Sequence, residues 1–380
     1  MVRFLFLATL ILRSAIVFGQ GTILEKRTFD GVEIELFRNT DSMSQAIAIN
    51  HEGSMVGTRE ILESRGEVKA LRTLSFYSGT QGTKDIGVPE SFTSFEVIGI
   101  SDTELIVGYA TRPLRHKDGS LRGVVWNARE ERFSVLPLGD GDLVNQAQDI
   151  SADGKRITGY TTGPERLRPV VWDYDEERRD WRLTVLPIIH DNNPYLMSSH
   201  LVISPNGKWV AGCCTEEIRP DGGIDSSLFL WTEIDSGNWE RKRISAEQMY
   251  LHGMNDQREL VGSLSSEKGG RLPCYISHDG RLVMLELLPG DVAGEAKAIN
   301  NSSVIVGFSD DPIGKEGGPE PCIWSKDGKS RRFVAAGGTY GAISGINDAG
   351  QMAGMIELPS ESGVTDADGQ SLLLAFRTSK

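Results

Sequence analysis

A short pattern recurs seven times along the chain, and no other feature of the sequence limits its fold so strongly. The copies read AIAINHEGSMVG ending at Gly57, VIGISDTELIVG at Gly108, AQDISADGKRITG at Gly159, HLVISPNGKWVAG at Gly212, LHGMNDQRELVG at Gly262, AKAINNSSVIVG at Gly307 and ISGINDAGQMAG at Gly354. Each has an Ile or Met, then Asn or Ser, a few polar residues, and an apolar pair or near-pair leading into glycine. Successive glycines stand 51, 51, 53, 50, 45 and 47 residues apart. A beat this regular means stacked copies of one supersecondary unit.

Past each glycine comes a variable polar segment, then an apolar strand that often ends in Trp, at Trp126, Trp172, Trp231 and Trp324. A turn such as SHDG or SKDG follows, then a last strand such as FSVLPLG or LVMLELL. Short Val-, Ile- and aromatic-rich runs between turn residues are antiparallel strands. Four of them in a unit of roughly 45 to 50 residues make a propeller blade. The predicted fold class is therefore all-β: a seven-bladed β-propeller of four-stranded antiparallel blades, with repeats starting near 44, 94, 145, 198, 249, 294 and 341.

The last repeat has only three strands before the chain ends at Lys380, while GVEIELFRN (31–39) is an alternating strand with no unit of its own. This N-terminal strand is expected to complete the seventh blade and close the ring, removing an exposed sheet edge. Residues 1–19 read differently. Arg3, an apolar run from Phe4 to Leu12, and Val17 and Gly19 before the cut make a secretory signal peptide, with Arg13 ending the run too early for a membrane span. The domain expectation is thus a signal at 1–19 and one propeller over 20–380, secreted or periplasmic, with no membrane span after cleavage.

The chain carries a net charge of -13, which becomes -15 when Arg3 and Arg13 leave with the signal. Its basic clusters, RPLRHK and KSRR, have acids nearby. Nucleic acid is excluded as a partner on this charge. The expected partner is an extracellular macromolecule or glycan, met by a monomer.

The motif A-x-x-I-N-x-x-G-x-x-x-G, with its Phe-Leu-Trp strand and Leu-Pro-Leu-Gly turn, resembles the HAF-repeat family of exported bacterial β-propeller proteins. ISPNGKWVAG (203–212) also looks like a TolB-type repeat. Ser stands for Asn at 101, 151 and 204, and the third strand of the first repeat, near 70–76, lacks the Trp. The resemblance implies a propeller and export, and it brings no catalytic residues to transfer.

The repeated Asn residues fall where a strand enters a tight turn and are expected to bond their own backbone. The glycines allow a bulge or close backbone approach, and the Trp residues fill space between blades rather than forming a sugar box. Function is expected on the face of the long, unlike loops after each second strand. Candidate ligand-binding residues near the starts of the first strands are Gln45, Gln146, His200, His252 and Lys297. The carboxylates Glu96, Asp149 and Glu295 are the weak catalytic candidates. His200 stands three residues before Ile203 and His252 two before Met254, so strand alternation puts them on different faces unless a bulge intervenes.

Hydrolase, zinc-protease and phosphate-loop motifs are all missing. TDADG (365–369) suggests a calcium loop through Asp366 and Asp368, but Val364 stands where the first carboxylate belongs and no Glu closes the pattern. DGD (140–142) is weaker. Cys274 and Cys322 begin equivalent strands about a blade spacing apart, roughly 10 Å, and Cys213 and Cys214 are neighbours. Buried free thiols are expected for most of the four. The reading is a noncatalytic binding or scaffolding module without cofactor. Its alternatives are a carbohydrate-active hydrolase or lyase with carboxylates at the channel mouth, and a cell-surface interaction protein in a larger assembly.

Overall fold

The computed structural model describes residues 22–29, 31–38, 43–65, 68–80, 82–113, 120–162, 167–187, 200–218, 224–245, 248–267, 269–311, 318–333, 340–357 and 373–379. Its strands form seven antiparallel sheets arranged as a β-propeller. Blades 1 to 6 have four strands each, running outward in chain order from an innermost strand. Blade 7 is assembled from both ends of the chain. Val32–Arg38 pairs with Leu373–Thr378, Ile34 opposite Thr378 and Phe37 opposite Ala375, so the N-terminal strand closes the ring as the sequence implies. An additional strand, Thr22–Phe29, pairs outside it and makes this blade five-stranded.

Each sheet buries both faces against its neighbours, so the core is divided into seven apolar clusters, one at each junction between blades. The cluster at the 7/1 junction joins Phe37, Ala353 and Ala375 to Ala46, Met55 and Phe76. Trp126, Trp172, Trp231 and Trp324 are buried in these clusters. Three of them also donate their indole N–H to the linker from the preceding blade: Trp172 to Pro137 O, Trp231 to Pro187 O and Trp324 to Glu286 O. A large ring with one satisfied polar tip suits such a seam. All four cysteines are buried free thiols.

A continuous set of hydrogen bonds joins the blades around the channel. Asn50 Oδ1 accepts from Ser54 N within its own turn at 2.8 Å, and its Nδ2 reaches across to Ser101 O in blade 2 at 2.9 Å. Asn255, Asn300 and Asn347 do the same, donating to Asn300 O, Asn347 O and Asn50 O; the last of these bonds closes the circle. Ser101, Ser151 and Ser204 keep the bond to their own turn but are too short to cross. There the backbone or an Asp takes over: Asp102 N to Ala152 O, Ala152 N to Pro205 O, and Asn206 N to Asp256 Oδ1, each 2.8 Å. All seven junctions are bridged.

The repeated glycine has a specific cause. In blades 1, 2, 3, 5, 6 and 7 the innermost strand carries a β-bulge that leaves one residue out of the ladder: Ile47, Ile98, Gln148, His252, Lys297 and Ser344. Beside the bulge, a backbone carbonyl presses on the facing strand. A Cβ on Gly57, Gly108, Gly159, Gly262, Gly307 or Gly354 would stand only 1.9 to 2.1 Å from it. Blade 4 differs. Its innermost strand is just Val202–Ile203 with no bulge, and what crowds Gly212 is the Leu201 side chain.

Two outcomes are expected in equilibrium denaturation. Gly307→Ala sets a methyl against Glu295 O and should cost about 2–4 kcal/mol, whereas Gly99→Ala, with its nearest neighbours at 3.5 Å, should cost well under that. Asn300→Ser should lose only the bridge to blade 7, about 1 kcal/mol.

Candidate functional site

The innermost strands surround a central channel of about 570 Å³ to which all seven blades contribute. The bulge decides which side chains enter it. Without a bulge, residues two apart share a face and neighbours alternate; with one, the extra residue turns toward the axis. Ile47, Ile98, Gln148, His252, Lys297 and Ser344 all line the channel for this reason. In blade 4 the equivalent residue, Leu201, is buried in the seam instead, and His200 lines the channel.

His200 and His252 therefore meet in one cavity, contrary to the alternation argument. The reason is physical: His252 is itself the bulged residue, and His200 precedes a strand too short to fix its face. Burial, with His252 and Lys297 nearby, holds His200 below the usual imidazole value, although its side chain is open to the channel. Burial also lowers His252, against an opposing pull from Glu295.

Glu295 is the centre of a charged cluster joining blades 5 and 6 beside the channel-lining His252 and Lys297. Arg271 Nη1 lies 2.8 Å from Oε1; Lys297 Nζ lies 3.2 Å and His252 Nε2 2.9 Å from Oε2. The imidazole approach is close but out of line, leaving Nε2 buried without an aligned hydrogen bond. The Arg271 guanidinium also stacks 4.1 Å above the Tyr250 ring. Burial alone would raise the Glu295 carboxyl, yet His252, Lys297 and Arg271 outweigh it and hold the group at about 2. A carboxylate held this way is no proton donor.

The other sequence candidates are occupied by local partners. Glu96 accepts from the Tyr109 hydroxyl on the facing strand, and Gln146 accepts from Tyr160 in the same way. Gln45 donates to Thr58 Oγ1. Asp149 stands one residue past the bulge and substitutes for missing ladder bonds of blade 4: Oδ2 accepts from Ile203 N at 2.9 Å and Oδ1 from Ile150 N at 2.8 Å. Gln148 beside it accepts from Leu201 N. These two residues tie down the abbreviated strand. Burial pushes the Asp149 carboxyl up to about 7 despite those two donors.

Asp366 and Asp368 lie outside the described residues, as does the signal segment. Among the described residues no group of three or more His, Cys, Asp or Glu is placed to hold a metal ion. Asp142 of the DGD stretch is taken by Arg168 and Thr161. Much of the variable loop sequence is likewise outside the described set. What is described shows two of the loops as extended hairpins, Met55–Arg65 with Val68–Gly79 and Trp209–Ile218 with Ile224–Asp235.

No family model matches the chain, and no characterised protein matches it by sequence. Solved structures do match. An oligogalacturonate lyase in complex with manganese is similar over 95% of this chain and 98% of its own, at 11% identity and a TM-score of 0.57. The β-propeller domain of the Trilobed protease from Pyrococcus furiosus aligns over 88% and 95%, at 13% and 0.52. The acylaminoacyl peptidase of Pyrococcus horikoshii aligns over 87% of this chain and 52% of its own, at 12% and 0.52. The likeness is one of fold. The chemistry of this propeller has to be read from its own channel.

That chemistry is asymmetric. Blades 1 and 2 present Ile47 and Ile98, blade 7 the small Ser344, and blades 3 to 6 present Gln148, His200, His252 and Lys297. Sequence reasoning did not find Gln148, Arg271, Tyr250, Ile47, Ile98 or Ser344. The signal that finds the bulge set is position: three residues before the repeated Asn or Ser in every blade but the fourth.

Asp149 gives a pH prediction. Its folded value lies above the usual 3.8, so the folded state holds the proton more tightly, and stability falls as pH rises from about 4 to about 7. Denaturant unfolding across that range should show this decline, no more than about 4 kcal/mol, and Asp149→Asn should flatten it.

Proposed function

We propose that this protein is an exported, noncatalytic propeller of the HAF-repeat kind that binds its ligand at the channel mouth beneath the variable loops. The observation that carries the reading is the division of the channel into an apolar arc, Ile47 and Ile98, and a polar arc, Gln148, His200, His252 and Lys297. Ligand sites combine apolar walls with a few convergent polar groups in this manner, within volumes of roughly 300–1,000 Å³. Catalysis by carboxylates is disfavoured because each candidate has local work: Glu96 with Tyr109, Asp149 with two backbone amides, Glu295 with three basic side chains. A general acid needs a proton to give at working pH, and Glu295 at about 2 has none.

Export and a cut after Gly19 belong to this proposal and are supported by the Arg3-led apolar run. N-terminal sequencing of the protein from culture fluid or periplasm should begin at Gln20.

The decisive test narrows the channel. Ser344→Tyr fills a bulge seat without changing a ladder bond and should leave the melting temperature nearly unchanged. In a thermal-shift screen of glycans, peptides and small acids, ligands that stabilise the natural protein should lose at least about tenfold in affinity for this variant. Ligands indifferent to Ser344→Tyr would overturn the channel as the site. Glycan turnover abolished by Glu96→Gln or Glu295→Gln would overturn the noncatalytic reading in favour of the hydrolase or lyase.

A further inference from the structure

Two residues before each bulge, at the loop end of the channel, the innermost strand sets one residue directly opposite one of the second strand. The pairs are Gln45 with Thr58, Glu96 with Tyr109, Gln146 with Tyr160, Tyr250 with Ser263, Glu295 with Phe308 and Ala342 with Met355. Gln45, Phe308, Ala342 and Met355 line the channel itself, so this ring of pairs is its rim. The half from blades 5 to 7 is already engaged or apolar: Arg271 covers the Tyr250 ring, three basic side chains hold Glu295, and Ala342 faces Met355.

The pairs of blades 1 to 3 are different. One hydrogen bond joins each: Gln45 Nε2 to Thr58 Oγ1, the Tyr109 hydroxyl to Glu96 Oε2, and the Tyr160 hydroxyl to Gln146 Oε1. The second polar atom of each planar group, Gln45 Oε1, Glu96 Oε1 and Gln146 Nε2, has no partner among the described residues. Gln45 and Glu96 are exposed and both tyrosines half-buried. Burial, Glu96 and the nearby Tyr160 all raise the Tyr109 hydroxyl, so the two phenols are neighbours across the seam between blades 2 and 3.

Two hairpins flank this sector. Past the repeated glycine the ladder of second and third strands runs eight residues in blade 1, Gly57 to Arg65, and six in blade 4, Gly212 to Ile218, against three in blades 2 and 3, Gly108 to Thr111 and Gly159 to Thr162. At roughly 3.4 Å per residue the flanking hairpins extend about 10–17 Å farther than the blades between them. Blades 2 and 3 are the floor of a trough that meets the channel at Gln45.

Resting on the reading of the channel mouth as the ligand site, we infer that Tyr109, Tyr160, Glu96, Gln146 and Gln45 bind a neutral oligosaccharide that lies along this trough with one end in the channel. A sugar ring has C–H faces that pack on aromatic rings and hydroxyls that both donate and accept. The floor supplies two phenol rings and a row of acceptor, acceptor and donor in Gln45 Oε1, Glu96 Oε1 and Gln146 Nε2. Tyrosines already held by their partners lose little rotamer freedom when a ligand arrives. The one charge among the six paired residues is that of Glu96, which repels an acidic sugar.

The test is calorimetric titration of the full mature protein with cellohexaose, xylohexaose and chitohexaose, beside hexagalacturonate as an acidic counterpart. At least one neutral oligosaccharide should bind, at least about tenfold tighter than hexagalacturonate. Tyr160→Leu should weaken it by a similar factor, Tyr160→Phe, which keeps the ring, by much less, and Glu96→Gln should narrow the gap to hexagalacturonate. Should Tyr160→Leu fold poorly, ring-proton shifts of Tyr109 and Tyr160 on adding the oligosaccharide to the natural protein give the independent readout, and their absence counts against the site. Preference for hexagalacturonate overturns the neutral assignment. Oligosaccharide binding that Ser344→Tyr abolishes and Tyr160→Leu leaves intact overturns this inference alone, as does the lack of any oligosaccharide binding where other Ser344→Tyr-sensitive ligands are found. Binding sensitive to Tyr160→Leu and indifferent to Ser344→Tyr overturns the channel reading and leaves the trough as the site; no ligand sensitive to either variant overturns both.

Discussion

Everything in this molecule depends on the circle of hydrogen bonds at the turn end of the channel. A propeller blade is a twisted sheet with two apolar faces, and nothing within it fixes how many neighbours it has or whether the series closes. The Asn amide solves this locally. Its oxygen accepts from its own turn while its nitrogen donates to the next blade, as in Asn300 to Val304 N and Asn347 O. One side chain therefore fixes both the shape of a blade's inner corner and the distance to the next. Asn347 to Asn50 brings residues 297 positions apart into the same relation as neighbours 45 to 51 apart.

The apolar seams would be less specific without that circle. Hydrophobic contact is non-directional, so seven similar seams could slide or change number. Polar bonds of fixed length cannot slide. The buried carboxylates reinforce the pattern farther from the axis: Glu104 receives Ser54 and Tyr77 of blade 1, and Glu259 of blade 5 receives Ser303 of blade 6 together with Tyr275 of its own blade. Ring closure thus rests on directional bonds between buried groups, each of modest net worth alone and together fixing the spacing of the blades.

The fold was legible in the sequence because its signals repeat: one ambiguous strand proves little, but seven in register do. The closing strand at 31–39 was legible from the missing partner it supplies. The strand Thr22–Phe29 was not, since a fifth outer strand fills no vacancy in the repeat. The site was harder to read for a geometric reason. Alternation is a property of a regular ladder, and the residues that matter stand where the ladder is interrupted, so counting by twos across His252 assigns it the wrong face. The repeated glycine carried the information indirectly, because it marks the strand that the bulge presses on. Arg271 escaped because it comes from the third strand of blade 5, 24 residues before the Glu295 it contacts, and no local pattern joins the two.

The bulge separates two kinds of requirement within one strand. Residues on either side of it are committed to ladder and seam, and their replacement disturbs neighbours in two blades. The bulged residue has no ladder partner and faces the channel, so the fold asks little of it except where it has taken on local work, as Gln148 has with Leu201 N and His252 and Lys297 have with Glu295. The propeller consequently carries around its axis a set of seats, six bulged positions and His200, of which Ile47, Ile98 and Ser344 can be exchanged one at a time with little effect on stability. Isoleucine, glutamine, histidine, lysine and serine already occupy equivalent seats in this single chain, a sampling of side-chain chemistry on one invariant geometry. Such a scaffold can acquire a new ligand by point substitution along its axis while every strand, turn and seam stays as it was.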